Sequence, residues 1–298
     1  MSSDLERLIS RVEQVLDRFE ATLPRVHQVP DWKKGLAYRW RKRASAGFLQ
    51  PVTHLHRIRL SDLQGIDDQI NLIEQNTRQF MEGLPANNVL LTGARGTGKS
   101  SLIKALLNKF SSKGLRLIEV DKHDLVDLPD IVDLIADVPQ KFILFCDDLS
   151  FDADEPGYKA LKVILDGSIS ATSENLLIYA TSNRRHLMPE FMQENLETKY
   201  FGEEIHPAET VEEKISLSER FGLWVSFYPF DQDEYLTIVD YWLGELGVSE
   251  PQRGAKARNE ALQWALTRGS RSGRVAWHFA RDWAGRHRIT SGVSRKTS

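Results

Sequence analysis

A chain that sets a glycine, four further residues and then Gly-Lys-Ser between an apolar run and a helical pattern has few folds open to it. Residues 87–101 read Asn-Asn-Val-Leu-Leu-Thr-Gly-Ala-Arg-Gly-Thr-Gly-Lys-Ser-Ser, and Gly93, Gly98, Lys99 and Ser100 carry the Walker A spacing of a phosphate-binding loop. Glycines there let the backbone curl so that successive N–H groups converge on phosphate oxygens, where a Cβ would obstruct. The expected phosphate site is Gly93, Ala94, Arg95, Gly96, Thr97, Gly98, Lys99, Ser100 and Ser101. Lys99 is expected to bring a cation to the β and γ phosphates, and Ser100 a hydroxyl ligand for Mg²⁺. The positive end of the following helix adds to the attraction. A chance glycine turn would have no need of its neighbours. Here Val89-Leu90-Leu91 reads as a strand leading in, and Leu102, Ala105 and Leu106 as a helix leading out.

Length and composition set outer bounds. The 298 residues suffice for one large or two medium domains. A net charge of −3 supplies no overall attraction to nucleic acid. Cys146 is the single cysteine, which excludes an intrachain disulfide and fits a reducing compartment. With no signal-like start and no apolar run near ~20 residues, the expectation is a cytoplasmic protein without a membrane span.

Along the chain, Leu5, Leu8, Ile9, Val12, Val15, Leu16 and Phe19 fall at helical spacing, predicting an amphipathic helix over residues 1–23 that ends before Pro24. From Asp31 to Val52, Trp32, Tyr38, Trp40 and Phe48 are interleaved with Lys33, Lys34, Arg39, Arg41, Lys42 and Arg43. Such a segment can hold a nucleic-acid backbone and stack on bases, or lie on a neighbouring domain with aromatics down and cations out. His56 to Leu63 reads as a linker or short strand, followed by a helix to about Met81. Strands at Val89–Thr92, Leu115–Val120, Phe142–Asp147 and Leu176–Ser182 then alternate with helices at Ser100–Phe110, near Asp130–Ala136 and near Tyr158–Leu165. A fifth strand is expected at Leu223–Phe227, after a Glu-rich stretch from Glu194 to Glu213. The alternation predicts an α/β fold with a parallel five-stranded sheet flanked by helices. Beyond Pro229 the pattern is helical: Tyr235–Leu246, Ala255–Thr267 and Val275–Ala284. The domains expected are an N-terminal extension over 1–54, the α/β core over 55–230, a small helical lid over 231–285 and a frayed basic tail over 286–298.

Further chemistry lies at two strand ends. Phe142 to Cys146 is an apolar run ending in Asp147 and Asp148, about fifty residues after the loop, which is a Walker B pattern. Asp147 is expected to hold Mg²⁺ and Asp148 to polarise an attacking water. Asp is one methylene shorter than the Glu that many motors use at the second position. Cys146 reads as a small core residue. The next strand ends in Asn183, a polar group placed beside the phosphate strands and read as a γ-phosphate sensor, with a turn-forming Asn as the plainer alternative. His54 and His56 have metal-like spacing but no nearby Cys or carboxylate, and read as ordinary histidines.

Gly-Ala-Arg-Gly-Thr-Gly-Lys-Ser, Phe-Cys-Asp-Asp and Ala-Thr-Ser-Asn-Arg-Arg occur in the order and approximate spacing of the AAA+ P-loop ATPases, which the chain resembles. More narrowly, the stretches at Asn87–Leu102, Phe142–Ser150, Tyr179–Glu190 and Glu213–Asp231 resemble a bacterial family filed as domain of unknown function 815. The resemblance implies ATP and Mg²⁺ as ligands, and it gives meaning to residues that spacing could not assign. Ser218-Glu219-Arg220-Phe221-Gly222 is similar to the box whose arginine reaches a neighbouring subunit's nucleotide, so Arg220 becomes the candidate finger. A surface ion pair to Glu212, Glu213 or Glu219 is the alternative. Arg274 is the candidate second sensor from the lid, with Arg271 competing; Gly65 and Ile66 occupy the place where the family grips adenine. A trans arginine implies a homo-oligomer, either a ring or a nucleotide-dependent dimer. The loop Asp121-Lys122-His123-Asp124-Leu125 lacks the aromatic grip of protein-threading members, although Gly157-Tyr158 could supply a different pore loop. The reaction implied is ATP hydrolysis acting on a protein client or DNA, or a slow switch or loader that adapts DNA or another ATPase. A small-molecule kinase would explain the first motif but leave Asn183, Arg220 and the helical C-terminal region without roles.

Overall fold

The computed structural model describes residues 11–15, 30–43, 46–151, 155–166, 174–183 and 217–294. In chain order the strands are β1 (Ala37–Arg43), β2 (Ala46–Pro51), β3 (Val89–Gly93), β4 (Leu115–Glu119), β5 (Lys141–Cys146), β6 (Leu176–Ser182) and β7 (Leu223–Phe227). The longer helices are α1 (Asp67–Met81), α2 (Lys99–Phe110), α3 (Leu128–Ile135), α4 (Pro156–Asp166), α5 (Gln232–Glu245), α6 (Ala255–Thr267) and α7 (Gly273–Ser294). One sheet runs β2-β1-β4-β5-β6-β3-β7, parallel except for the β1–β2 pair. The central strands are apolar without alternation because both their faces are covered. Leu91, Ile143, Tyr179 and Phe227 face a core shared with α1, α2 and the C-terminal helices, while Leu90, Leu144, Ile178 and Cys146 face one shared with α3 and α4.

The sheet has seven strands, not the expected five. The two additional strands come from the basic and aromatic segment, whose alternation of Tyr38 and Trp40 with Arg39 and Arg41 is a period of two. β1 joins the sheet parallel to β4, from Ala37 opposite Leu117 to Arg39 opposite Glu119, and β2 folds back on it. Within the sheet the aromatics of this segment face the core and its cations face out. Tyr38 and Trp40 are 1% and 3% exposed, and Trp32 packs edge-on against Tyr38 and Phe142 at 4.8 and 4.9 Å. Trp40 Nε1 donates to Asp127 at 2.8 Å, Lys42 pairs with the same carboxylate at 2.8 Å, and Arg39 pairs with Glu119 at 2.7 Å.

Other expectations shift more modestly. His56–Leu63 forms no strand; Leu60–Asp62 is a single 3-10 turn. Residues 11–15 are helical and exposed, whereas the rest of the predicted helix over 1–23 and the Glu-rich stretch lie outside the described residues. The last helix runs on to Ser294, past residue 286, the expected start of the tail, and Arg286 is held by Asp282 at 2.8 Å and by Glu260 of α6 at 3.2 Å. Among the described residues no helix is long and apolar enough to cross a membrane.

Two polar contacts fix what surrounds the phosphate loop. Asn76 of α1 holds Asn87 by both backbone groups, at 2.9 and 3.0 Å, and so sets the chain leading into β3. Buried Asp62 accepts from Arg59 and, at 2.7 Å, from Tyr241 of α5, while Arg59 reaches Glu245 at 2.8 Å. That clasp joins the segment before α1 to the C-terminal helices. Truncating Trp40 to Ala removes a buried indole and its bond to Asp127, and should lower the unfolding free energy by about 3–5 kcal/mol. Exposed Arg41→Ala should stay within about 0.5 kcal/mol; urea titrations of both variants check this.

Candidate active site

The site forms where β3 gives way to α2. Gly93 has φ of 123°, and a Cβ there would stand 1.9 Å from the carbonyl oxygen of Phe227 at the end of β7. Gly96 has φ of 76°, and its absent Cβ leaves room for Ser272 Oγ and Arg274 Cβ, which would lie 2.9 and 3.3 Å away. Both positions therefore demand glycine on conformation and on space. Thr97 Oγ1 donates across the turn to Ala94 O at 2.8 Å.

Lys99, at the first turn of α2, folds back over this loop. Its ammonium donates to Gly93 O at 2.6 Å, Ala94 O at 2.7 Å and Asn183 Oδ1 at 3.2 Å, which uses all three of its protons. It is 6% exposed, and desolvation brings its pKa down to about 8, with the charges of Arg274 and Arg95 acting in the same direction against those of Asp147 and Asp148.

The carboxylates stand at the end of β5. Ser100 Oγ and Thr181 Oγ1 each lie 2.6 Å from Asp147 Oδ1. Asp148 adopts φ of 54°, in the left-handed region that Asp tolerates better than most side chains, with its N–H on Thr181 Oγ1 at 3.0 Å. Its carboxylate accepts from Asn183 Nδ2 and lies 3.8 Å from the Arg95 guanidinium. A cleft of about 340 Å³ opens here, lined by Arg95, Asp148, Ser150, Ser182 and Asn183. The Ser100 hydroxyl and Asp147 carboxylate form a hard-oxygen donor set of the kind Mg²⁺ takes, so the residues present fit that ion.

The structure gathers most of the residues singled out by sequence. Ile66 is buried beside the loop, its Cδ1 3.1 Å from where a Gly98 Cβ would stand, while Gly65 abuts Phe230. Of the two lid arginines, Arg274 begins α7 next to Gly96. Arg220 does not line the cleft; it is ion-paired with Asp166 at the end of α4. Glu212 and Glu213 lie outside the described residues. Cys146 is buried, and burial pushes its thiol up to about 12, in keeping with a core residue. Two contributors were missed. Thr181 resembles any β-branched strand residue, although its place two before Asn183 faces it to the Asp-Asp turn. Ser272, whose Oγ accepts from Val275 N–H at 3.3 Å, was legible only as a Ser-Gly helix start.

A family model described as protein of unknown function (DUF815) matches residues 33–287. The chain belongs to this family. The fold of this DUF815 member is that of the AAA+ P-loop ATPases. It is similar to the Aeropyrum pernix Orc1 protein solved in complex with DNA, with a TM-score of 0.50 and 14% identity, covering 72% of this chain and 58% of that one. The DUF815 chain thus spans little more than half of that structure. Looser likenesses are a Thermotoga maritima RuvB Holliday junction branch migration motor (TM-score 0.43, 14% identity, 76% of this chain and 70% of that one) and a DNA replication initiation factor (0.47, 16%, 82% and 68%). No curated protein matches the sequence.

Lys99 also carries a pH signature. Its pKa in the folded state, about 8, lies below the ordinary 10.5, so between those values the unfolded chain binds the extra proton. Stability contributed by this residue should therefore be lowest below pH 8 and rise toward pH 10.5. Urea titrations at intervals across that window should show wild type gaining on Lys99→Met as pH rises.

Proposed function

We propose that this DUF815 member is an AAA+ ATPase that binds Mg-ATP at the Gly93–Ser101 loop and hydrolyses it to change the conformation of a protein or nucleic-acid partner. The observation that carries this reading is one unbroken polar chain: Lys99 to Asn183, Asn183 to Asp148, and beside it Ser100 to Asp147. A loop that only bound phosphate would need Lys99 and the amides. It would not need an aspartate turned, in a left-handed conformation, toward the amide that touches the lysine.

Each residue follows from its position. The loop amides and Lys99 bind the β and γ phosphates, with the ammonium exchanging its carbonyl partners for phosphate oxygens. Ser100 and Asp147 hold Mg²⁺, which when bound neutralises phosphate charge. Asp148 accepts the proton of the attacking water, and Asn183 orients that water and the γ phosphate. Asp148 is short, so the water must come close to the turn or be bridged. Ile66 and Gly65 border the base. Arg274, at the loop's own lid, answers charge within the subunit, and Arg220, released from Asp166, answers it in a neighbour. The active unit is then a homo-oligomer. Lys99→Ala should abolish nucleotide binding, and Arg220→Ala should lower kcat by on the order of 10³ with nucleotide affinity retained. Turnover that is unchanged in Arg220→Ala, from a protein that stays monomeric with ATP, rejects the shared site.

A second reading, a slow switch or loader acting on DNA, is favoured by the β1–β2 hairpin. β1 runs past its last pairing with β4 at Arg39 and Glu119, toward the same edge of the sheet as the loop, and carries exposed Arg41 and Arg43 there. The segment Lys122–Asp127, where threading motors place a mobile grip, is instead tied to the hairpin through Trp40 and Lys42. On this reading single-stranded DNA stimulates turnover in wild type, and Arg41→Ala with Arg43→Ala removes the stimulation while leaving basal turnover in place. Equal turnover with and without DNA discards the loader.

A further inference from the structure

Thr181 stands on β6, between the strand that ends in the two carboxylates and the strand that ends in the phosphate loop, paired in register with Leu91. It is 2% exposed. A hydroxyl has one proton to give and lone pairs to receive with, and both capacities are used. Thr181 Oγ1 donates to Asp147 Oδ1 at 2.6 Å and accepts the Asp148 N–H at 3.0 Å. Its main-chain carbonyl accepts the next N–H, that of Leu149, at 2.6 Å. Three consecutive residues of the turn after β5 therefore end on one residue of the neighbouring strand.

The turn needs such an anchor. Asp148 is, among the described residues, the one non-glycine residue with positive φ. Even for Asp, which tolerates that region better than most side chains, such a turn is most firmly kept where its surroundings hold it. The left-handed turn brings the Asp148 carboxylate to Asn183, and the Thr181 hydroxyl and carbonyl are the partners that tie the turn's two N–H groups to the sheet. The same hydroxyl orients Asp147, whose Oδ1 also meets Ser100.

We infer that Thr181 is the positioning residue for both carboxylates, acting through Asp147 as an outer partner of a metal ligand and through the Asp148 backbone as the support of the water-activating turn. The inference rests on the ATPase reading for its catalytic consequence and on the hydrogen bonds alone for its structural one. It goes beyond the Walker motifs and Asn183, since the Thr181 hydroxyl is spent on Asp147 and on the Asp148 N–H.

The test compares Thr181→Val, which keeps the shape and deletes the hydroxyl, with Thr181→Ser, which keeps the hydroxyl. In nucleotide-free protein, amide hydrogen exchange over Asp147–Leu149 should quicken in Val and stay at the wild-type rate in Ser. In the ADP complex, Mn²⁺ affinity measured by electron paramagnetic resonance should weaken about 10–100-fold in Val and be restored in Ser. With ATP, kcat should fall by a similar factor in Val, while KM stays within about twofold. Should Val fail to fold, Thr181→Ala makes the same comparison. Wild-type exchange and Mn²⁺ affinity in the hydroxyl-free variant, or an equal loss in Ser, overturns the inference. Absence of nucleotide binding in wild type would instead sink the ATPase reading, and the exchange comparison would still decide the role of Thr181 in the turn.

Discussion

Everything at the site depends on how closely the backbone of Gly93 approaches the end of β7. The Phe227 carbonyl occupies the volume where any other residue would carry its Cβ, and the Ala94 N–H reaches the same oxygen at 3.3 Å. This contact holds the exit of β3 between β6 and β7. β6 on one side then supplies Thr181 and Asn183, and β5 beyond it supplies the two aspartates. The place of β3 beside β6 thus brings residues 84 positions apart into one hydrogen-bonded set.

Within that frame, burial of a cation is the main electrostatic strain. Lys99 is almost fully enclosed, and without phosphates it is stabilised by two loop carbonyls and the Asn183 amide oxygen. The loop is held by its own lysine, whose direct partners are dipoles while the charges of Asp147 and Asp148 act on it from further off. The lid is part of the same arrangement. Ser272 and Arg274 occupy the space left by Gly96, and the Arg59–Asp62–Tyr241–Glu245 clasp ties α5 to the chain that leads into Gly65 and Ile66. The C-terminal helices thus meet the core both at the Gly93–Ser100 loop and at the chain that precedes α1.

How far this could be read without coordinates differs by residue, for physical reasons. The phosphate loop and the Asp-Asp strand end were legible because their chemistry is local: a few adjacent residues must adopt one backbone path. Strands β3 to β7 and helices α1 to α6 were legible from period and burial, with ends moving by a residue or a few. β1 and β2 were not placed, although Tyr38 and Trp40 alternate with arginines, because so many cations in a row look like a solvated or polyanion-binding surface until the aromatic face is seen against Phe142 and Asp127. Thr181 lies inside the Ala-Thr-Ser-Asn-Arg-Arg stretch, but a buried threonine in an apolar strand is compatible with packing alone, so its role required the fold. Arg220 was assigned from resemblance, and its pairing with Asp166 required the fold, because fifty-four residues separate them.

By itself the sequence determined that a glycine loop meets a helix at Lys99, that an apolar strand ends in Asp147 and Asp148, and that strands alternate with helices before a helical end. Those are consequences of spacing between near neighbours. Only the tertiary structure decided that β1 and β2 widen the sheet, that Ser272 and Arg274 close on Gly96, and that Thr181 ties both aspartates to the next strand. Each of these is a contact between distant segments, where the partner is chosen by volume and by unsatisfied polar groups, and no local pattern of residues specifies which segment will arrive.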